Sequence, residues 1–247
     1  SLSTSVAALL DAYMSEVFQA THAPGMQVVV VDKDSVCYAR AFGDAVSTNQ
    51  VTGIGSLTKS MTALAIQQLG VDRQAPVTQY LANLHVPDWV TIDRLLTHTS
   101  GIATQATLDN IIVNAPGVFE YANLNYHLLG LVIQAVSGEA YDYYMRKYVF
   151  EPLGMQDTTA DLGRVTDLLT GHTVFFGKPV PWRMERFFPN RVNNEARWGN
   201  LSAGFVLSSG RDMGIYLQHY LNDGVPKVPD GGYRDGWFRD GDRIFHA

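Results

Sequence analysis

The chain has 247 residues, 46% of them hydrophobic and 17% charged, an ordinary globular composition with length enough for a sizeable core. Its net charge of −6 is spread along the chain, so the basic stripe of a nucleic-acid binder is absent. Apolar runs such as MQVVVV are far too short to span a bilayer, and one cysteine, Cys37, allows no internal disulfide.

The start, SLSTSVAALLDAY, fits the mature end left after a signal peptide is removed. Val6, Leu9, Leu10, Tyr13, Met14, Val17 and Phe18 recur at helical spacing and predict an amphipathic opening helix, broken at Pro24-Gly25. MQVVVV and SVCYARAFG flank Asp32-Lys33-Asp34 and read as a β-hairpin. Cys37 lies in its second strand; a catalytic cysteine is one reading, and a small buried hydrophobe is preferred because no histidine lies in a pairing motif with it. The stretch from Ser56 to Leu69 reads as a helix, and PVTQYL and TIDRLLTH as short helical pieces. NYHLLGLVIQAVSG is a strongly apolar helix stopped at Gly138, and EAYDYYMRKYVF continues in helical register. Residues 162–199 read as irregular surface loops. AGFVLSS reads as a strand feeding the helix GRDMGIYLQHYLND. Asp240-Gly241, between two alternating runs, signals a last hairpin. Strands at both ends with helices between them favour an antiparallel sheet built from both chain ends and an inserted helical lobe, an α+β arrangement.

The chemistry concentrates at GIGSLTKSMTALAIQQL. Ser56 and Lys59, three apart, share one helix face, with Cβ atoms about 5–6 Å apart. A serine hydroxyl is a weak nucleophile until a neighbour takes its proton. A lysine amine can do so when neutral, and burial favours that form. The helix N-terminus suits the negative charge of an acyl-transfer intermediate, and Gly53 and Gly55 let the backbone approach closely. The plainer alternative is Ser56 as an N-cap and Lys59 as a solvated first-turn residue. Of the five lysines, only Lys59 has a serine three before it.

Tyr-x-Asn occurs twice. Tyr121 and Asn123, before a helix, would point the same way from an extended backbone. Tyr220 and Asn222, at a helix end, would diverge. The first pair is therefore the candidate, with Tyr121 tuned toward phenolate by nearby ammonium charge. A packed aromatic and an N-cap is the alternative. The seven histidines are scattered, with no His-Glu-x-x-His or paired-cysteine spacing, and no glycine-rich phosphate loop follows a strand. No metal and no cofactor are expected.

IGSLTKSMTALAIQQL, LLTHTSGI, YANLNYHLLGLVIQAVSG and VFEPLGM, in that order, resemble the serine β-lactamase and penicillin-binding-protein superfamily. The branch they are most similar to holds class C β-lactamases, D-alanyl-D-alanine carboxypeptidases and family VIII esterases. The resemblance implies one domain over 1–247 with an α/β lobe (1–70 and 200–247) and a helical lobe (71–199). It implies Ser56 as the acylated nucleophile, Lys59 sharing its proton and holding Tyr121, and Tyr121 as base and then acid to the leaving group. Asn123 would bind the substrate amide. The Ser56 N–H would be one oxyanion donor, with the second on a strand near the third motif. His98, in LLTHTSG, would be a structural turn residue.

The third motif departs from the family pattern. DRIFHA supplies His246 and Ala247 without the expected glycine, so His246 is the candidate third-motif, substrate-binding residue. Its alternative is a frayed terminal histidine. Several connections are also shorter than in the family. A C-terminal end truncated relative to the family is expected, with an unpaired edge that invites a partner chain or dimer. The implied function is a serine hydrolase acting on a β-lactam, a D-amino-acid peptide or a small ester, outside the cytoplasm. The alternative is a non-catalytic binding or scaffold protein of the same fold. Trp182, Phe187, Phe188 and Trp198 are expected to line a cleft or to pack as loop residues.

Overall fold

A computed structural model describes residues 3–165, 168–182, 201–224 and 226–246. Phe187, Phe188 and Trp198 lie outside them. The class is α+β, with helices mixed with small antiparallel ladders. Chain contacts separate two compact units.

One unit gathers the described residues of Ser1–Gly53, Leu153–Pro189 and Leu207–Val225. Helix α1 (Thr4–Thr21) starts at Ser3, whose hydroxyl accepts from the Val6 N–H. It ends at His22 in the left-handed conformation. Strands β1 (Gly25–Val31) and β2 (Val36–Gly43) form the expected hairpin, with a register shift at Val30/Val31. Asp11 of α1 accepts from Arg40 and from the Tyr38 hydroxyl, and these bonds hold its carboxyl down to about 2. Strand β3 (Thr52–Gly53) pairs with β6 (Leu207–Ser208). Helix α8 (Gly210–Asp223) is capped by Ser209 and lies against β1. A Cβ at Gly214 would come within 2.9 Å of Val29.

The expected loop region holds a further hairpin, β4 (Gly171–Phe175) with β5 (Lys178–Trp182), turning at Phe176-Gly177. Pro179 and Pro181 lie within β5, although proline cannot donate to a ladder. A two-stranded ribbon has free edges, where the missing N–H groups cost no ladder bond.

The second unit gathers the described residues of Ile54–Pro152, Asn190–Val206 and Pro226–Ala247. A 3-10 turn, Gly55–Leu57, runs directly into α2 (Thr58–Gln68). Around α2 lie α3 (Ile92–Leu96), α4 (Asn123–Ser137), the short α5 (Tyr141–Tyr144) and α7 (Leu201–Gly204). After α5 the helix widens to a π stretch, Met145–Phe150, and ends as α6 (Glu151–Leu153). Met61, Ile66, Ile92, Leu95, Leu128, Leu129 and Ile133 are fully buried here. Each such side chain contributes roughly 1.5–3 kcal/mol.

Polar locks fix α7 in this core. Thr62 Oγ1 donates to the Ser202 carbonyl at 2.6 Å and bonds the Tyr141 hydroxyl at 2.8 Å. Ser202 Oγ donates to the Tyr126 carbonyl at 2.8 Å, over Gly130, where a Cβ would clash with it.

The same unit ends in β7 (Tyr233–Arg234), β8 (Trp237–Asp240) and β9 (Arg243–Phe245); the last hairpin turns at Gly241-Asp242, one residue past the expected Asp240-Gly241, because Asp240 still pairs with Arg243. Chain-end segments thus supply β1–β2 and β7–β8–β9 as separate antiparallel ladders. Packing groups residues 54–70 and 226–246 with the helices, the former through the contacts of α2 with α4 and α7. No helix among the described residues is long and apolar enough to cross a membrane.

Candidate active site

Four of the five predicted site residues meet in one hydrogen-bonded cluster inside the second unit. Gly55, at φ +54, supplies a left-handed backbone step that a side chain would strain, and Ser56 follows it on the 3-10 turn. Lys59, one turn on, is fully buried. Its Nζ lies 2.9 Å from Ser56 Oγ, 2.9 Å from Asn123 Oδ1 and 2.6 Å from the Ala203 carbonyl. The Tyr121 hydroxyl donates to Ser56 Oγ at 2.9 Å. Ala122 has an extended backbone before α4 begins at Asn123, which turns Tyr121 and Asn123 toward the same side.

Burial pushes Lys59 down to about 7. No carboxylate pairs with it among the described residues. The cost of desolvating an ammonium therefore falls on the charged form. The fit of bonds agrees with that shift. Asn123 Oδ1 and the Ala203 carbonyl are acceptors only, so they take the two N–H groups of a neutral amine. The lone pair is then left for the Ser56 hydroxyl.

Tyr121 corrects an expectation. Burial pushes its phenol up rather than toward phenolate, and its bond to Ser56 offsets this only in part. The Lys59 nitrogen sits over the Tyr121 ring, 4.8 Å from its centre, and no hydrogen bond joins it to the Tyr121 hydroxyl. The Lys59 amine thus lies against the face of the Tyr121 ring. At neutral pH the Tyr121 hydroxyl therefore keeps its proton and acts as a hydrogen-bond donor.

Asn123 is exposed, and its Oδ1 faces Lys59, which leaves its Nδ2 donors for a ligand carbonyl. Tyr220 and Asn222, the second Tyr-x-Asn pair, belong to the other unit. There Tyr220 bonds Tyr216, and Asn222 donates to the Lys33 and Gln218 carbonyls.

His246 stands apart from the cluster. Its Nδ1 bonds the Gly236 carbonyl, and its ring packs on Tyr233 and Phe238. Tyr233 in turn packs edge-on against Tyr121 at 6.1 Å. The β7–β8 turn holds this sheet against helix α2. A Cβ at Gly236 (φ +86) would lie 2.3 Å from the Ser60 nitrogen. Arg73 grips Asp235 through two bonds and reaches Asp93, which also takes Arg234.

Sequence reasoning missed the Ala203 carbonyl, a backbone acceptor on α7 that leaves no side-chain signal. The Arg73–Asp235 clamp was also missed. No group of three His, Cys, Asp or Glu side chains placed to hold a metal occurs among the described residues.

A family model described as Beta-lactamase matches residues 6–238. "Protein flp" of Staphylococcus aureus (strain MW2) is 24% identical, covering 96% of this chain and 57% of its own. "Putative penicillin-binding protein PbpX" of Bacillus subtilis (strain 168) is 32% identical over 51% of this chain and 39% of its own. The chain therefore spans about half the length of the curated relatives it matches. The flp alignment runs over 296 positions against 247 residues here, so that relative has stretches with no counterpart in this chain.

Among solved structures, the octameric penicillin-binding protein homologue from Pyrococcus abyssi superposes with TM-score 0.76 and 26% identity. It covers 93% of this chain and 64% of that one. FmtA from Staphylococcus aureus gives TM-score 0.72 at 19% identity over 93% of this chain and 74% of that one, a likeness of fold alone.

Proposed function

The chain belongs to the Beta-lactamase family, within the serine β-lactamase and penicillin-binding-protein superfamily, and on that premise we propose that it is a serine hydrolase working through an acyl-enzyme. The observation that carries the proposal is Ser56 Oγ held 2.9 Å from both Lys59 Nζ and the Tyr121 hydroxyl, with Lys59 shifted to about 7.

Neutral Lys59 takes the Ser56 proton as Oγ attacks the substrate carbonyl carbon, and the carbonyl π electrons move to oxygen. The Ser56 N–H, at the start of the helix, supports the oxyanion. As the intermediate collapses, the C–N or C–O bond breaks and the leaving group takes a proton from the Lys59–Tyr121 pair. Water then repeats the sequence on the acyl-enzyme, returning Ser56 as a hydroxyl and Lys59 as an amine. Asn123 orients the substrate amide or acyl side, and His246 contributes to the far wall near a substrate carboxylate.

The substrate class is a β-lactam, a D-amino-acid peptide or a small ester. The names of PbpX and of the Pyrococcus neighbour favour the first. The family reading also carries an extracytoplasmic location, tested by cell fractionation. The octameric neighbour supports self-association, tested by light scattering on a sizing column.

The deciding experiment is intact-mass spectrometry after exposure to a panel of β-lactams, p-nitrophenyl esters and D-Ala-D-Ala peptides. An added acyl mass or turnover, absent from Ser56→Ala, supports the hydrolase. Neither adduct nor turnover across the panel would leave a non-catalytic binding protein of the same fold.

A further inference from the structure

The loop residue His98 is absorbed by none of the chemistry above, yet it is fully buried and adopts φ +55, a conformation non-glycine residues seldom take. Such a backbone persists only where its surroundings over-determine it. Its surroundings here are the segment that carries Tyr121 and Asn123. The His98 carbonyl accepts from the Glu120 N–H at 2.8 Å. Its Nδ1 accepts from the Ala122 N–H at 3.3 Å. One residue therefore grips the backbone on both sides of Tyr121. Its ring also tilts against the Tyr121 ring, with centres 4.4 Å apart.

The protonation state follows from the bonds. Ser100 Oγ donates to Asn125 Oδ1 at 2.7 Å, which turns Asn125 Nδ2 toward His98 Nδ1 at 2.8 Å. With Ala122 N–H and Asn125 Nδ2 both donating, Nδ1 holds no proton, and the neutral ring carries its hydrogen on Nε2. Nε2 is buried without a hydrogen-bond partner, and the ring sits among those of Tyr121, Tyr126, Tyr233 and Phe119. A second proton would replace the acceptor at Nδ1 with a donor facing two donors. Burial and the Lys59 charge push His98 down to about 3, in keeping with that picture.

We propose that His98 is a positioning residue for the acyl-transfer reaction: as a neutral imidazole accepting at Nδ1, it fixes the Glu120–Ala122 backbone and so aims the Tyr121 hydroxyl at Ser56 Oγ. It touches neither substrate nor reacting atoms, and its effect passes through Tyr121. The inference rests on the serine-hydrolase reading for its kinetic consequence but not for its structural one.

The test compares His98→Asn with His98→Gly in the full chain. Both tolerate a left-handed backbone. Only Asn keeps an acceptor, its Oδ1, near the place of Nδ1. The probes are a fluorescent penicillin and a p-nitrophenyl ester, whichever labels the wild type, read as acylation rate and half-saturating concentration. Hydrogen exchange of the Ala122 amide is measured alongside.

In His98→Gly, acylation is expected to fall roughly 10- to 100-fold with the half-saturating concentration nearly unchanged, because a misaimed group costs rate rather than binding. Ala122 is expected to exchange faster. His98→Asn is expected to recover most of the rate and the Ala122 protection. Equal loss in both variants, a wild-type rate in His98→Gly, or unchanged Ala122 protection there would overturn the proposal. If no probe labels the wild type, the hydrolase reading fails, and Ala122 exchange alone decides the role of His98. If His98→Gly does not fold, His98→Asn decides it: wild-type protection at Ala122 supports the proposal and lost protection overturns it.

Discussion

Replacing Lys59 with methionine should separate the stability of the fold from its chemistry. Burial brings the amine from 10.5 down to about 7. The unfolded chain keeps its proton up to about 10.5, so between these values it binds more protons than the folded chain. Stability contributed at this site therefore rises with pH across that window and is flat below it. At about pH 7 the folded protein bears a cost of roughly 4 kcal/mol for this one group, and at about pH 10 less than about 1 kcal/mol. Methionine has nearly the same length and no proton to lose. It leaves the Ala203 carbonyl without its donor, a loss of about 1–3 kcal/mol that does not vary with pH. The stability difference, Lys59→Met minus wild type, should thus fall by about 3–4 kcal/mol from about pH 7 to about pH 10. Urea unfolding at a series of pH values measures it, and acylation should be lost at every pH. A difference that stays flat with pH would show an ordinary lysine and refute the argument, and so would a variant that still turns over.

Three further outcomes follow from the geometry. Tyr121→Phe removes the hydroxyl 2.9 Å from Ser56 Oγ and should slow acylation by about 10²- to 10⁴-fold in stopped-flow assays, with melting little changed. Gly236→Ala puts a Cβ 2.3 Å from the Ser60 backbone at φ +86. It should cost about 1–3 kcal/mol or more in urea melts and slow acylation too, because the displaced contact lies beside Lys59. Thr62→Val leaves the Ser202 carbonyl and the Tyr141 hydroxyl without their partner, so stability should drop by about 1–3 kcal/mol while the pH dependence of acylation stays in place.

What the sequence disclosed follows from how local each feature is. Ser56 and Lys59 are legible because helical spacing alone brings them together. Tyr121 and Asn123 are legible because an extended residue before a helix start aims both one way. The first and last hairpins announce themselves through alternation and turn residues. Other features depend on long-range packing. The Ala203 carbonyl reaches Lys59 across 144 positions, and a backbone acceptor has no residue type to betray it. The upward push on Tyr121 comes from burial, which spacing does not reveal. The β4–β5 hairpin was hidden by Pro179 and Pro181, residues that speak against strands unless the strand is at an edge. His98 read as a turn residue, and its left-handed backbone agrees. Its grip on Ala122 and the ring of Tyr121 appears only once α4 is packed beside it.

The most direct test of the account is peptide mapping of the protein after brief exposure to a fluorescent penicillin and to a p-nitrophenyl ester. The account predicts one acyl group on the peptide that carries Ser56, formed slowly or not at all in Lys59→Met. An acyl group on another residue, or a Ser56 adduct that forms at the wild-type rate without Lys59, would contradict it.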